Sequence, residues 1–211
     1  MERQEKVITS YARMASVYDR RFRGYIARTI STALEMLQLT GTERILDVAC
    51  GTGELERRIL EVHPQQPIWG IDLTEEMLVA AREKLGEVPN IQWERADSRY
   101  LPFPDAHFDI VVTLSAFHYM REPQRVVNEF ARVVRPGGRV VVLDWCRDFL
   151  FAQLYHLMRK VFFPQHYRVY HLAEMQQLMR DAGLTPADYR QFTVLGMWKM
   201  MCVEGKKAAG C

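Results

Sequence analysis

The hydrophobic pattern changes character near residue 41. Before it, Tyr25-Ile26, Ile30, Ala33-Leu34 and Leu37 recur at helical spacing, so residues 1–40 are expected to be helical, with Gly41 ending the run. After it, short apolar runs alternate with amphipathic segments. Strands are expected at 45–49, 68–73, 91–94, 108–115 and 140–144. Between them Leu55, Ile59 and Leu60 share a helical face, as do Met77, Leu78, Ala81 and Leu85 behind a Thr74 N-cap. Pro123 opens a helix carrying Val126-Val127, Phe130 and Val133-Val134, and Arg135-Pro136-Gly137-Gly138 reads as the turn into the fifth strand. Residues 147–182 read as largely helical, and two strand-like runs, 188–192 and 196–203, close the chain. Strand and helix in alternation, with β-branched runs, imply a parallel sheet covered by helices on both faces. Ligands of such sheets bind outside the carboxyl ends of the strands where strand order reverses. The turn after the first strand and the ends of the second and fourth should therefore face one crevice.

Composition narrows the class. With 211 residues, 48% apolar and 26% charged, the chain has the make-up of one globular domain, which excludes disorder and collagen-like structure. Lys+Arg 28 against Asp+Glu 26 leaves a net charge of +2, which argues against nucleic acid as a partner. Cys50, Cys146, Cys202 and Cys211 have no CxxC spacing, so neither a zinc ribbon nor a redox dithiol is expected, and His156, His166 and His171 match no metal spacing. The first residues, Met1 to Lys6, are charged and carry no apolar signal segment. The apolar stretches around 110–119 and 140–145 are too short to span a bilayer. A cytoplasmic protein with no metal and no integral membrane segment is the expectation.

The strongest chemical signal is Asp47-Val48-Ala49-Cys50-Gly51-Thr52-Gly53, with Asp72 about 20 residues on at the end of the second strand, where an acid suits a ribose diol. Glycines in the turn let backbone approach a ligand closely. Glu56 stands where a dinucleotide fingerprint has its third glycine, which disfavours a pyrophosphate on that helix N-terminus. No Gly-Lys-Ser/Thr follows, so this is not a P-loop. An extra acid, Asp47, precedes the turn and can orient the loop or meet a positive ligand. An acid-rich, phosphate-free nucleoside site suits S-adenosylmethionine, which carries a sulfonium, an ammonium and a ribose.

Leu46 to Gly53, Gly70-Ile71-Asp72-Leu73-Thr74, Ala96-Asp97-Ser98, Leu101-Pro102-Phe103-Pro104-Asp105 with Phe108-Asp109, and Arg135-Pro136-Gly137-Gly138 occur in this order over residues 44–145. In this the sequence resembles the class I S-adenosylmethionine-dependent methyltransferases, most of all the small-molecule group that includes ubiquinone/menaquinone C-methyltransferases. The resemblance implies a Rossmann-like α/β fold: a seven-stranded, mostly parallel sheet with helices on both faces, an antiparallel last strand and an N-terminal helical cap. It implies S-adenosylmethionine as cofactor. The Gly51 and Gly53 backbone would wrap its methionine part, Ala49 and Cys50 would be cofactor-binding in the same loop, Cys50 through its backbone, Asp47 would orient that loop or meet the ligand's positive charge, and Asp72 would hold the ribose hydroxyls. Leu73 and Met77 would flank the adenine, Asp97 would accept from its amino group with the Ser98 amide beside it, and Ser115 would lie near the ammonium. Tyr11 and Tyr18 resemble the N-terminal segment that closes over the cofactor. The Asn, Gly, His and Trp-rich N-terminal signature of the quinone enzymes is absent, as are the active cysteines of arsenite methyltransferases.

The resulting domain plan is a helical cap at 1–40, a methyltransferase domain at 41–204 with a helical insert at about 147–182, and a flexible tail at 205–211. The expected partner is a small-molecule methyl acceptor, aromatic or apolar, reacting through O, N or C. A quinone or lipid-like acceptor met at a membrane surface by peripheral contact, and a non-catalytic cofactor-binding module, stay open as alternatives. His118, after the fourth strand, is the candidate general base, against a packed or substrate-lining role. Asp109 reads as structural. The apolar and aromatic residues 149–163 read as a packed helix or as a lid over an apolar acceptor, and Arg20, Arg21, Arg23 and Arg28 as a solvated helix face.

Overall fold

The computed structural model describes residues 2–148, 168–196 and 198–210. Residues 149–163, read as a packed helix or a lid, most of the expected insert, His156, His166 and Cys211 lie outside the described residues.

Seven strands form one sheet in the order β3-β2-β1-β4-β5-β7-β6. They are β1 (Ile45–Val48), β2 (Ile68–Asp72), β3 (Ile91–Arg95), β4 (Phe108–Leu114), β5 (Val134–Trp145), β6 (Leu184–Val194) and β7 (Trp198–Lys207). β1 to β5 pair in parallel, and β7 runs antiparallel to both β5 and β6. The chain winds outward from β1 to β3 and then crosses to β4 on the other side, so strand order reverses between β1 and β4. Helices α1 (Glu2–Met14) and α2 (Tyr18–Leu37) precede the sheet. α3 (Glu54–Val62), α4 (Glu75–Leu85), α5 (Pro123–Val133) and α6 (Leu172–Asp181) follow β1, β2, β4 and the segment after β5.

Period-two alternation in the central strands feeds two cores. Leu46, Val111, Val140 and Val142 face the side covered by α5 and α6 through Val126, Val127, Phe130, Met175 and Met179. Ile45, Ile110, Val112, Val141 and Leu143 face the side covered by α2 and α3 through Ile30, Ala33, Leu37, Leu55 and Ile59. Each such side chain contributes about 1.5–3 kcal/mol on burial. Cys50, Cys146 and Cys202 are all buried thiols, consistent with the packing role the apolar runs imply.

Three boundaries differ from the sequence reading. α2 ends at Leu37 with Gln38 in the left-handed region (φ 42°), four residues before Gly41. Arg139 reaches across from β5 to the carbonyls of Met36 (3.2 Å) and Leu37 and also pairs with Glu204 (3.0 Å), so tertiary contacts rather than a glycine terminate the helix. The Arg135–Gly138 segment belongs to β5, because the register shift between Phe108 and Ile110 accommodates it as an irregularity in the ladder. The tail expected from residue 205 begins later: Gly205, Lys206 and Lys207 are in β7, paired with β5 and β6, and Lys207 Nζ donates to the carbonyls of Ala131 (2.6 Å) and Val134 (2.9 Å). Asp109 is structural: its Oδ2 accepts from the Arg44 N–H (2.7 Å) and Arg135 pairs with its other oxygen. Among the described residues no helix is long and apolar enough to cross a membrane, and no cluster of three His, Cys, Asp or Glu could hold a metal ion.

Candidate active site

The turn after β1 is built from left-handed residues. Ala49, Gly51 and Gly53 have φ of 65°, 56° and 73°. The N–H groups of Ala49 and Cys50 both donate to the Ile71 carbonyl (2.7 and 3.0 Å), which folds the loop back over the end of β2. At Gly53 a Cβ would come within 2.9 Å of Trp93 of β3 and 3.1 Å of Ala81 of α4, so only glycine permits both this φ and the close approach of these two elements. Gly70, in β2, leaves room for the Trp93 ring, which a Cβ would meet at 2.4 Å.

Asp72 ends β2 and ties the site together. Its Oδ2 accepts from the Gly51 N–H (3.0 Å) and its Oδ1 from the Thr74 N–H (2.8 Å). Burial raises its pKa from the ordinary carboxylate value, against the lowering effect of these bonds. Each carboxylate oxygen retains acceptor capacity for a ligand hydroxyl. Asp97, after β3, is gripped by Arg99: Oδ1 accepts from the Arg99 N–H (3.0 Å) and Nε (3.1 Å), and Oδ2 from a terminal nitrogen (2.7 Å). Burial opposes ionisation there, but Arg99 prevails and the carboxyl lies below its ordinary value. Arg99 also reaches Glu122 at 2.7 Å, linking the loops after β3 and β4.

At the end of β4, Ser115 also has left-handed φ (56°); with Ala49 it places this rare backbone on both sides of the strand-order reversal. Ser115 Oγ is 2.8 Å from the Tyr25 hydroxyl, which accepts from Trp145 Nε1 at 3.0 Å. Helices α1 and α2 supply aromatic rings above. Tyr11 lies 5.9 Å from Tyr18 and 5.6 Å, edge-on, from Tyr119 between centroids. Burial pushes the Tyr11, Tyr18 and Tyr25 phenols well above their ordinary value, so they stay neutral.

These parts line one open cavity. Its wall holds Tyr11, Tyr18, Ala49, Gly51, Asp72, Leu73, Met77, Asp97, Ser98 and Ser115, ten of the residues singled out in the sequence. Asp47, Cys50 and Gly53 lie behind the wall and support the loop. Burial, foremost, pushes the Cys50 thiol well above its ordinary value, so it is no nucleophile. His118 is also outside the wall, although Tyr119 and Met120 are in it. Its ring is 2% exposed, with Nδ1 2.6 Å from Asp144 Oδ1 and its face stacked on Trp145 at 4.3 Å.

Sequence reasoning missed Gln4, Val7, Ile8, Arg99, Met120 and Arg121, which also line the cavity. Gln4, Val7, Ile8 and Tyr11 share one face of α1, a spacing that would have flagged the first three once Tyr11 was assigned. Acids Asp72 and Asp97 face the cavity, and Glu54 and Glu56 occupy the first turn of α3, where a phosphate would need positive potential.

Comparison with known proteins agrees. A family model described as a methyltransferase domain matches residues 45–138. The chain is 31% identical to a ubiquinone/menaquinone biosynthesis C-methyltransferase of Ralstonia pickettii over 71% of this chain and 70% of that protein. It is 29% identical to a demethylmenaquinone methyltransferase of Geobacillus, covering 90% of this chain and 89% of that protein. Among solved structures, a methyltransferase complexed with the Trm112 methyltransferase activator of Haloferax volcanii superposes with a TM-score of 0.78 at 21% identity, covering 94% and 97% of the two chains. An S-adenosylmethionine-dependent methyltransferase from Mesorhizobium loti gives 0.71 at 20% identity, covering 83% and 96%. These two likenesses establish the fold.

Proposed function

Since the chain belongs to the class I S-adenosylmethionine-dependent methyltransferases, in the small-molecule group similar to the ubiquinone/menaquinone C-methyltransferases, we propose that the cavity at the carboxyl ends of β1, β2 and β4 holds S-adenosylmethionine. The observation that carries this reading is the convergence of Asp72, Asp97, Ser115 and the left-handed Ala49–Gly51 turn on one cavity at the strand-order reversal. In the reading, Asp72 binds the ribose hydroxyls, and Leu73 and Met77 flank the adenine. Asp97 and the Ser98 amide meet the adenine edge. The Ala49 and Gly51 backbone follows the methionine part, shaped from behind by Cys50 and Gly53, with Asp47 supplying negative charge beneath and Ser115 beside the ammonium. Tyr11 and Tyr18 close the top as part of a cap formed by residues 1–40, over a domain running from residue 41.

The bound cofactor supplies an electrophilic methyl on a sulfonium whose leaving group is a neutral thioether. The chain therefore needs no nucleophile of its own. Its work is to align the acceptor with that methyl and to exclude water, a task for the half-buried Tyr11, Tyr18 and Tyr119 rings. The acceptor in this reading is a small apolar or aromatic molecule, quinone-like by analogy with the relatives, and the near-balanced charge favours it over nucleic acid. Three buried free thiols suit a cytoplasmic setting.

Calorimetry tests the cofactor assignment. S-adenosylhomocysteine should bind and NAD should not. Stabilisation by NAD with none by S-adenosylhomocysteine would overturn it. Methyl transfer from S-adenosylmethionine to a demethylated hydroquinone in detergent tests the acceptor class.

A further inference from the structure

Beneath the loop that follows β1 lies a pair of acids that the proposed function does not explain. Glu56, in the first turn of α3, is 0% exposed and sits on the core face beside Leu55 and Ile59. Asp47, in β1 between Gly70 of β2 and Val112 of β4, is 3% exposed. The two carboxyls are within hydrogen-bonding reach of each other. Among the described residues, Asp47 Oδ1 and both Glu56 oxygens have no well-formed hydrogen bond from a donor; the Glu56 carboxyl's own backbone N–H favours ionisation, but less than burial opposes it. Ionised carboxylates only accept, so two of them cannot satisfy one another; one proton between them can. Like charges at contact in a dry site also cannot both form.

The surrounding groups do not remove this need. Asp72 at the end of β2 adds negative charge to both acids, and Cys50 in the loop is a neutral thiol. Lys84 of α4 is the cation whose charge reaches Glu56, but its Nζ is already held by Asp19 (2.5 Å), Glu54 (3.3 Å) and Thr52 (3.1 Å).

We propose that Asp47 and Glu56 form a carboxyl pair that holds one proton between them, and that the pair releases this proton to solvent when a positively charged ligand fills the cavity above. Glu56 is thus a positioning residue: it acts through Asp47 and sets the negative charge under the ligand without touching it. The inference rests on the cofactor reading for the nature of that ligand. Titration supports the geometry. Burial raises Glu56 to about 7, and burial with the neighbouring Glu56 and Asp72 pushes Asp47 well above the ordinary value. The sign follows: acids that keep their proton in the folded state give full stability below the ordinary carboxylate value and lose it as pH rises through about 7. A bound cation offsets that loss.

The test is calorimetric titration of the full chain with S-adenosylmethionine, without acceptor, at pH 7 in buffers of different ionisation heat. Net proton release on binding is expected, falling to near zero in Glu56→Gln, which keeps the side chain's shape. The rise of affinity with pH should flatten in the same variant. Infrared spectra of the ligand-free protein should show a protonated carboxyl band that Glu56→Gln removes. Normal binding with no proton release, or equal release in both proteins, overturns the proposal and leaves the cofactor reading intact. Absence of binding in the wild type overturns the cofactor reading and the linked release with it, while the infrared band still decides the shared proton. Should Glu56→Gln fail to fold, Glu56→Asp, expected to retain the band, and the wild-type release itself decide the matter.

Discussion

Around Asp72 the polar groups are organised by backbone; around His118 they are organised by side chains that also build the core. Asp72 accepts from the Gly51 and Thr74 amides in the cavity wall and leaves lone pairs for a ligand. Asp144 accepts from the His118 amide (2.8 Å), from His118 Nδ1 (2.6 Å) and from the Trp145 amide (2.6 Å), and it is 1% exposed. The first arrangement leaves acceptor capacity in the cavity wall; the second is a buried bracket that fixes the start of the segment after β4. In the proposed reading ligand chemistry constrains the first region, because ribose, adenine and ammonium demand particular acceptors. Packing constrains the second, and packing admits many sequences.

The sharpest way to break this contrast is at Asp72. Two hydrogen bonds from a carboxylate to ribose hydroxyls contribute about 1.5–3 kcal/mol each. Asp72→Ala should weaken S-adenosylhomocysteine binding at least tenfold by calorimetry and leave the far-ultraviolet circular dichroism unchanged. Unaltered affinity would remove Asp72 from the ligand site and make it a loop tether only. Asp144→Ala should do the reverse. It orphans two buried amides, costing about 1–3 kcal/mol of stability each. Chemical denaturation should show that loss, while cofactor affinity per folded molecule stays within about twofold. A variant that loses binding without losing stability would place Asp144 in the site.

The same contrast explains how much was legible beforehand. The order of strands and helices from Ile45 to Trp145 could be read because β-branched runs and helical stripes differ in period, and the loop from Asp47 to Gly53 because its left-handed turn restricts residue choice. The end of α2 could not, because Arg139, remote in sequence, caps it. Nor could the end of β7: Lys206 and Lys207 look solvated, but one pairs opposite Arg139 and the other buries its amine against α5 and β5. Arg99 was hidden because an arginine two residues after an acid usually signals nothing, whereas here it clamps Asp97 and Glu122 together. Glu56 was visible as a departure from a dinucleotide fingerprint, but its burial was not, since a charged residue beside Leu55 is ordinarily taken for the solvent face.

The smallest effect is expected at His118, and it decides whether the two regions share the chemistry. A dedicated general base supplies about 10²–10⁴-fold. To do so it must reach the acceptor's proton directly or through one water. His118 lies outside the cavity wall, with one ring nitrogen engaged by Asp144 and its face covered by Trp145. Its backbone carbonyl also accepts from the Arg168 amide (3.3 Å), which ties the loop after β4 to the chain leading into α6. Removal of the ring should therefore disturb the shape of the acceptor side more than proton transfer. His118→Ala is expected to change kcat by less than about fivefold with cofactor affinity intact, and to raise KM for the acceptor more than it lowers kcat. The pH profile separates the alternatives. An acidic limb of kcat that survives the substitution agrees with a packing role. A limb that disappears, together with a loss of 100-fold or more, would make His118 the base and would mean that the bracket around Asp144 opens during turnover.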